Sequence, residues 1–515
     1  MSRRSWTLVA VVLGSSIVFL DSTIVNVALK AIGEQLPSTV IGVLEGESYV
    51  VNGYLLTVSA LLILAGALAD AFGRRRLFVI GLVGFGASSV LCGIAPNMEL
   101  LIAGRVVQGI FGAFLVPSSL AIITATFDDG AERGRAFGIW AAASSATTVL
   151  GPPVGGFLVD ALSWRIAFLI NVPLVAAAVF IALRWVEESR NESSPKRFDW
   201  LGAAVVAFAV GGLAFGAIRG QQQNWADPVA WLALAVGAVA AVALAPLMIL
   251  RRDPLIPPDL FRSRNFTVTN ISTFLIYGAL YVVFAYQALF LQGTLGYSAL
   301  ASGLAGMPIS LALAFLSTTF GQLAGKRGPR WFMAIGPALM TIGLLWLTRI
   351  PSDSVAWQAR VEDPASLIPS SGYLVDVLPA MILFGLGISI LVAPLTTALM
   401  GSVPTRNSGL ASAINNAISR IGPLLAGAVI FIGVSASFYG ALHDRVPSLD
   451  TGSAQVRAAI PPLNPPDAGV PPEQVAAARE SSADAYHLAM LIAALLCAAG
   501  AVTNGLGIRN QAPED

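Results

Sequence analysis

Residues 55–76 read LLTVSALLILAGALADAFGRRR, and this stretch decides the fold. An apolar run passes Gly66, Asp70 and Gly73 and stops at three consecutive arginines, Arg74, Arg75 and Arg76. A long hydrophobic run that ends in clustered arginines marks a helix leaving a bilayer on its positively charged side. The rest of the chain is built the same way. Of its 515 residues, 56% are hydrophobic and 11% are charged, against about 25% charged in a typical soluble domain. Too little charge remains to cover a water-soluble protein of this length, so a cytosolic or secreted globular protein is excluded as the default. The net charge of +1 gives no sign of a nucleic-acid partner. Cys92 and Cys497 both lie in apolar runs and read as small core residues. Two histidines, His443 and His487, are too few to build a zinc or haem site, so neither metal nor cofactor is expected.

A membrane-crossing helix needs roughly 20 mostly apolar residues. Fourteen such spans are expected, at about 7–29, 46–69, 77–95, 99–124, 136–158, 166–186, 200–218, 228–250, 266–290, 300–324, 331–349, 373–400, 409–438 and 485–508. The first is too long for a signal peptide, and no clear small-residue cleavage site follows it. With the N-terminus in the cytoplasm, an even number of spans returns the C-terminus there. Cytoplasmic segments then hold about twenty of the 30 basic residues and outer segments about eight. That bias is the one topology requires, and it places the chain in the cytoplasmic membrane with both termini inside. Two outer segments are long, about 350–372 and 440–484. The second carries Pro461-Pro462, Pro465-Pro466 and Pro471-Pro472, which disfavour helix and read as a flexible, solvated loop.

Two pieces of the chain echo each other. Gly66-x-Leu68-Ala69-x-x-x-Gly73-x-Arg75 follows the second span, and Gly321-x-Leu323-Ala324-x-x-x-Gly328-x-Arg330 follows the tenth. Gly138 precedes Gly151-Pro152 by thirteen residues, and Gly409 precedes Gly422-Pro423 by thirteen. Repeated halves with a site at their interface are a common construction of secondary transporters. The expected division is a six-helix half over 1–190, a linker with two inserted helices over 191–265, and a second six-helix half over 266–515.

The motifs now resemble a family. Gly66-x-Leu68-Ala69-Asp70-x-x-Gly73-Arg74-Arg75-Arg76 is similar to the loop between helices 2 and 3 of the major facilitator superfamily. Leu20-Asp21-Ser22-Thr23-Ile24-Val25-Asn26-Val27-Ala28-Leu29 resembles the first-helix motif of its fourteen-helix drug/proton antiporters, the EmrB/QacA type. Arg105-Val-Val-Gln108-Gly109, Gly151-Pro152-x-x-Gly155-Gly156 and Trp164-Arg165-x-x-Phe168-x-Ile170-Asn171-Val172-Pro173 resemble the motifs of the fourth, fifth and sixth helices. The resemblance covers nearly the whole chain. Three positions depart from it. Lys30 stands where proline is usual, Tyr49 where tryptophan is usual, and Ile63 where proline is usual. No acidic residue occurs between Ala299 and Ala324, where some relatives carry one that helps with divalent cations. The resemblance implies an all-α polytopic membrane protein of the major facilitator fold, two six-helix halves plus two inserted helices. It also implies a transporter and not an enzyme.

Individual residues carry the mechanism. Asp21 lies about fourteen residues into the first span. A charged carboxylate near the bilayer centre costs about 2.5–3.5 kcal/mol on insertion scales, and desolvation in general favours the neutral carboxyl. Both suit proton coupling or substrate binding; bonding to Ser22 or Thr23, or a structural ion pair, is the alternative. Arg105 in the fourth span is the second coupling candidate, with Gln108 one turn on. A static helix-helix bridge is its alternative. Arg420 is a third charge within a span and has no acidic residue in its own span. Asn415 and Asn416 or backbone carbonyls could satisfy it as readily as a transport role.

Gating candidates are Asp70, Gly66, Gly73, Arg74, Arg75 and Arg133, with Asp128 a further partner, and Gly151, Pro152 and Gly155 of the fifth span. Topology alone would explain the arginines, and close packing alone the glycines. Substrate-binding candidates are Asp21, Asn26, Tyr54, Gln108, Trp140, Tyr281 and Gln287, because aromatic faces attract organic cations. The expected function is proton-coupled export of lipophilic, cationic drugs or toxic compounds. The partners are then protons, small lipophilic substrates and membrane lipid, with no obligatory protein partner. The alternative is a dedicated exporter of an endogenous metabolite, lipid or siderophore-like compound. No phosphate-cradling loop, HExxH or G-x-S-x-G is present, so neither ATP drive nor hydrolysis is expected.

Overall fold

The computed structural model describes residues 2–37, 43–190, 198–222, 225, 227–360, 363–467 and 469–510. The first half consists of α1 (Arg3–Gln35), α2 (Val43–Phe72), α3 (Arg74–Gly93), α4 (Met98–Thr126), α5 (Gly130–Ala161) and α6 (Asn171–Trp185). Two further helices follow, α7 (Trp200–Gln222) and α8 (Pro228–Leu250). The second half consists of α9 (Arg264–Leu289), α10 (Met307–Arg327), α11 (Arg330–Leu347), α12 (Leu378–Gly401), α13 (Ser408–Arg445) and α14 (Pro472–Gly507). Helix is what an apolar solvent demands, because it satisfies the backbone within the segment. Polar side chains start several of these helices: Asn97 accepts from the Leu100 amide, Asp129 from Glu132 and Ser263 from Phe266. Thirteen of the described helical stretches are long and apolar enough to cross a membrane. α5, 32 residues long, completes fourteen; its sequence is diluted with serine, threonine, glycine and proline between Ser144 and Gly156.

The first and last described residues lie at one end of the bundle. Arg3 Nε donates to Trp185 O at 3.1 Å, Arg264 Nε to Gly507 O at 2.8 Å, and the Arg330 amide to Asn510 Oδ1 at 3.1 Å. This termini end also carries the turns that echo each other in sequence. Gly73 joins α2 to α3 with φ +115°, and Gly328 joins α10 to α11 with φ +83°. A side chain is strained at both, so glycine is required at matching places in the two halves.

The halves meet most closely at the termini end. A Cβ on Gly134 of α5 would sit 2.3 Å from Gly321 O of α10, and one on Gly325 would sit 2.3 Å from Gly130 O. A Cβ on Gly66 of α2 would sit 2.4 Å from both Gly409 O and Ala413 Cβ of α13. Backbone lies directly on backbone along both seams. The molecule is therefore sealed toward its termini end.

α7 closes the flank between α2 and α13, with Gly211 against Ala60. At the far end Arg219 of α7 bonds Asp227 and donates to Tyr49 Oη at 2.7 Å. A tryptophan at 49, which can only donate, could not accept that bond. α8 packs chiefly on α7, through Gly212, Gly216 and Gly237, and only Ala230 and Gly237 of it are buried. Large apolar side chains such as Phe157, Phe315 and Leu250 are 69%, 76% and 81% exposed, as a lipid-facing surface requires.

The segment 440–484 departs from the expected flexible loop. α13 continues to Arg445 and α14 begins at Pro472, well before the expected 485. Arg445 pairs with Glu480 at 3.0 Å and Asp484 at 2.6 Å, tying the two helices together. Ile460 and Leu463 are buried in the core of the second half, and Tyr439 Oη donates toward Ile460 O at 3.4 Å. Apolar side chains flanking the first proline pair, Ile460 before it and Leu463 after it, supply this anchorage. The other long segment is likewise pinned, with Trp357 buried at 5.0 Å from the Tyr373 ring. Both cysteines are free and buried.

Candidate functional site

Asp21 of α1 has no exposed surface. Arg105 Nη1 of α4 donates to its Oδ2 at 2.5 Å. Its Oδ1 accepts from Gln108 Nε2 at 3.1 Å and Asn171 Nδ2 at 2.9 Å. Arg105 also donates through Nε to Val50 O of α2 at 3.0 Å and through Nη1 to Gln108 Oε1 at 2.5 Å. Ser89 of α3 accepts from Gln108 at 2.8 Å and Asn171 at 3.3 Å. The Tyr54 ring lies under the Arg105 guanidinium, 4.2 Å from its centroid. Five helices of the first half thus converge on one carboxylate. The sequence expectation named Asp21, Arg105 and Gln108. It missed Ser89, and it had Asn171 only as part of a motif, because a hydroxyl or amide in an apolar run raises no conspicuous cost.

Next along the bundle is a cavity of about 550 Å³ between the halves. Its polar wall is Asn52 and Ser59 of α2, Tyr281 of α9, and Ser419 and Arg420 of α13. Leu55, Leu56, Ala214, Ile218, Pro423 and Leu424 supply its apolar wall. Of the side chains expected to bind substrate, Tyr281 lines this cavity. Its ring lies against Gly427, where a Cβ would come within 2.4 Å. Tyr54 sits on the same turns of α2 as Asn52 and Leu55 but is turned onto Arg105. Trp140 Nε1 donates to Ser15 Oγ at 2.9 Å, and Gln287 Nε2 bonds Met381 Sδ at 3.2 Å. Asn26 is exposed, away from both groups.

At the termini end, Asp70 Oδ1 accepts from Arg74 Nε at 2.9 Å and Nη2 at 2.8 Å. Its Oδ2 accepts from the Leu410 amide in the first turn of α13 at 2.8 Å, and Arg74 also bonds Thr405 O. The pair thus clasps the second half across the seam. Glu188 Oε1 and Oε2 accept the amides of Arg75 and Arg76, each at 3.0 Å, at the start of α3. The partners of this cluster are therefore Leu410, Thr405 and Glu188. Asp128 pairs with Arg4 at 3.7 Å instead, and no bond joins Arg133 to Asp70 among the described residues. Gly151 and Gly155 of α5 lie on α1. A Cβ on Gly151 would sit 1.8 Å from Thr23 Oγ1, and one on Gly155 would sit 3.1 Å from Ile24 Cα. The side chain of Pro152 lies outside the described residues.

Two like helical halves, sealed at one end around a central cavity, with a buried ion pair in one half, are the construction of a secondary transporter. The chain matches the family described as the Major Facilitator Superfamily over residues 11–427, and it belongs to that family. It is 34% identical over 445 residues to the multidrug resistance protein Stp of Mycobacterium tuberculosis, covering 86% of this chain and 78% of that one. It is 33% identical to the methylenomycin A resistance protein of Bacillus subtilis, covering 84% of this chain and 88% of that one. It is 31% identical to the tetracenomycin C resistance and export protein of Streptomyces glaucescens, covering 83% and 75%. Among solved structures it shares its fold with the human organic anion transporter MFSD10, at 14% identity and TM-score 0.57 over 96% of this chain and 100% of that one. The proton:xylose symporter XylE is similar at 16% identity and TM-score 0.56, over 97% and 95%. The chain is a multi-pass membrane transporter.

Proposed function

We propose that the chain exports lipophilic drugs or other toxic compounds across the cytoplasmic membrane in exchange for protons, by alternating access. Relatives named for multidrug and antibiotic resistance support the substrate class. The arginine-rich termini end faces the cytoplasm in this reading, so the sealed state is closed to the inside. Residues 1–190 and 266–515 are the two bodies that rock, and 191–265 is the linker with its two-helix insert. The expectation of cationic substrates rests on aromatic faces, of which the cavity wall offers Tyr281.

The observation that carries the proposal is the buried Asp21 carboxylate and its three donors. A proton arriving at Asp21 removes the charge that Arg105 answers and turns an acceptor into a donor. The present bonds cannot then all persist, and α1 loses its tie to α4. α1 lies against Gly151 and Gly155 of α5, and α5 forms the seal with α10 at Gly134 and Gly138. α5 therefore links the proton site to the gate, and the Asp70–Arg74 clasp on α13 yields with it. One proton moving down 100 mV supplies about 2.3 kcal/mol.

The test is dye transport by the full-length protein in proteoliposomes under an imposed pH gradient, with wild type compared against Asp21→Asn. Wild type should move dye with the gradient and stop when an ionophore collapses it, while the variant binds dye but ignores the gradient. Transport by wild type that is indifferent to the gradient would overturn the proton-coupled reading.

A further inference from the structure

We propose that Arg420 is an anion subsite, and that the transported compounds include amphiphilic organic acids whose carboxylate or phenolate is held by its guanidinium. The inference rests on reading the cavity as the substrate site. The other arginines at the centre of the molecule are answered: Arg105 by Asp21, Gln108 and Val50 O, and Arg74 by Asp70 and Thr405 O. Arg420 is not. It lines the cavity half-buried, and among the described residues it makes no hydrogen bond or ion pair. Asn415 and Asn416 are held by other bonds, and none to Arg420 is found among the described residues. Asn415 donates to Asn270 and Thr273, and Asn416 to Ser412 O. Ser419 Oγ is turned to Asn416 O at 2.9 Å, and Ser59 Oγ to Leu55 O at 2.7 Å.

Among the described residues no carboxylate belongs to the cavity wall. The formal charge that a ligand meets there is therefore positive. A guanidinium cannot shed its proton to escape burial, and its planar fork matches a carboxylate with two parallel bonds. The facing surface is apolar, from Leu55, Ile218, Pro423 and Leu424, and suits a ring system. An organic cation would meet like charge in the same space. An anionic substrate is thus proposed beside the expected cationic one, with the lipophilic body kept.

Fluorescein, a polycyclic phenol-carboxylic acid that is anionic at mildly alkaline pH, and ethidium, a cation of similar size, are the probes. Binding to the purified full-length protein is read by fluorescence anisotropy for wild type, Arg420→Gln and Arg420→Lys, with thermal melting as a folding check. Wild type should bind fluorescein, Arg420→Gln should weaken it by about ten- to a hundredfold, and Arg420→Lys, which keeps the charge but not the fork, should fall between the two. Ethidium binding should stay level or tighten in Arg420→Gln. The proposal is overturned if wild type does not bind fluorescein, or if Arg420→Gln weakens neither dye or both equally. Proton-driven ethidium export without fluorescein binding would sink the anion subsite and leave the export reading standing. Arg420-dependent fluorescein binding by a chain that transports nothing under a gradient would do the reverse.

Discussion

At the residue scale, the ion pair of Asp21 and Arg105 has no water to fall back on, since both side chains are at most 1% exposed. Removing one partner of such a pair leaves an unanswered charge and costs about 3–5 kcal/mol. Asp21→Asn and Arg105→Gln are each expected to lower the melting temperature clearly. The double variant should melt above either single variant, because it buries no lone charge. A double variant less stable than both would show that the two side chains contribute independently. Both residues were legible in the sequence as charges stranded in apolar spans. Their contact was not, because 84 residues separate them and no helical period links α1 to α4. Arg420 was legible in the same way, but that it has no partner among the described residues could only be seen once Asn415 and Asn416 were placed.

At the element scale, the two seams are made of backbone against backbone. A Cβ at Gly134 meets the Gly321 carbonyl oxygen, which no side-chain rotation can move aside. Gly134→Leu is therefore expected to part α5 from α10 at the termini end. Overpacking of about 1–3 kcal/mol would shift the balance toward the open state by about 5- to 150-fold. Spin labels on the two halves near the termini end should then show longer distances than in wild type. Unchanged distances would mean that the seam is not what holds this end shut. The sequence made the seam glycines Gly66, Gly321 and Gly409 visible as repeats but not Gly134, and it placed the helix cores well, α8 at its full 228–250. It failed at helix ends that leave the membrane. The first turns of α14, Pro472–Tyr486, are rich in alanine and charge and carry no hydrophobic signal of a span. Their helix is held by tertiary ties such as Arg445 to Glu480.

At the scale of the whole molecule, substrate charge decides which gradient drives the cycle. If one proton enters as one cation leaves, no net charge crosses, and the membrane potential does no work. If the substrate leaving past Arg420 is a monoanion, two charges cross per proton. Each charge adds about 2.3 kcal/mol per 100 mV, or about fiftyfold in attainable concentration ratio. An imposed potential without a pH gradient should then accelerate fluorescein export strongly and leave proton-for-ethidium exchange unmoved. Equal responses of the two dyes would contradict an anionic substrate.

α8 touches little besides α7 and is apolar around its whole circumference. Its 23 residues span about 35 Å at 1.5 Å each, against a hydrocarbon core of about 30 Å. A helix too long for its bilayer tilts. Any tilt of α8 bears on α7 through Gly212, Gly216 and Gly237, and α7 carries the cavity-wall residues Ala214 and Ile218. The thickness of the surrounding lipid thereby becomes a control on the width of the cavity. Export rates in vesicles of graded acyl-chain length should pass through an optimum. Weakening the α7–α8 contact should flatten that optimum without abolishing transport.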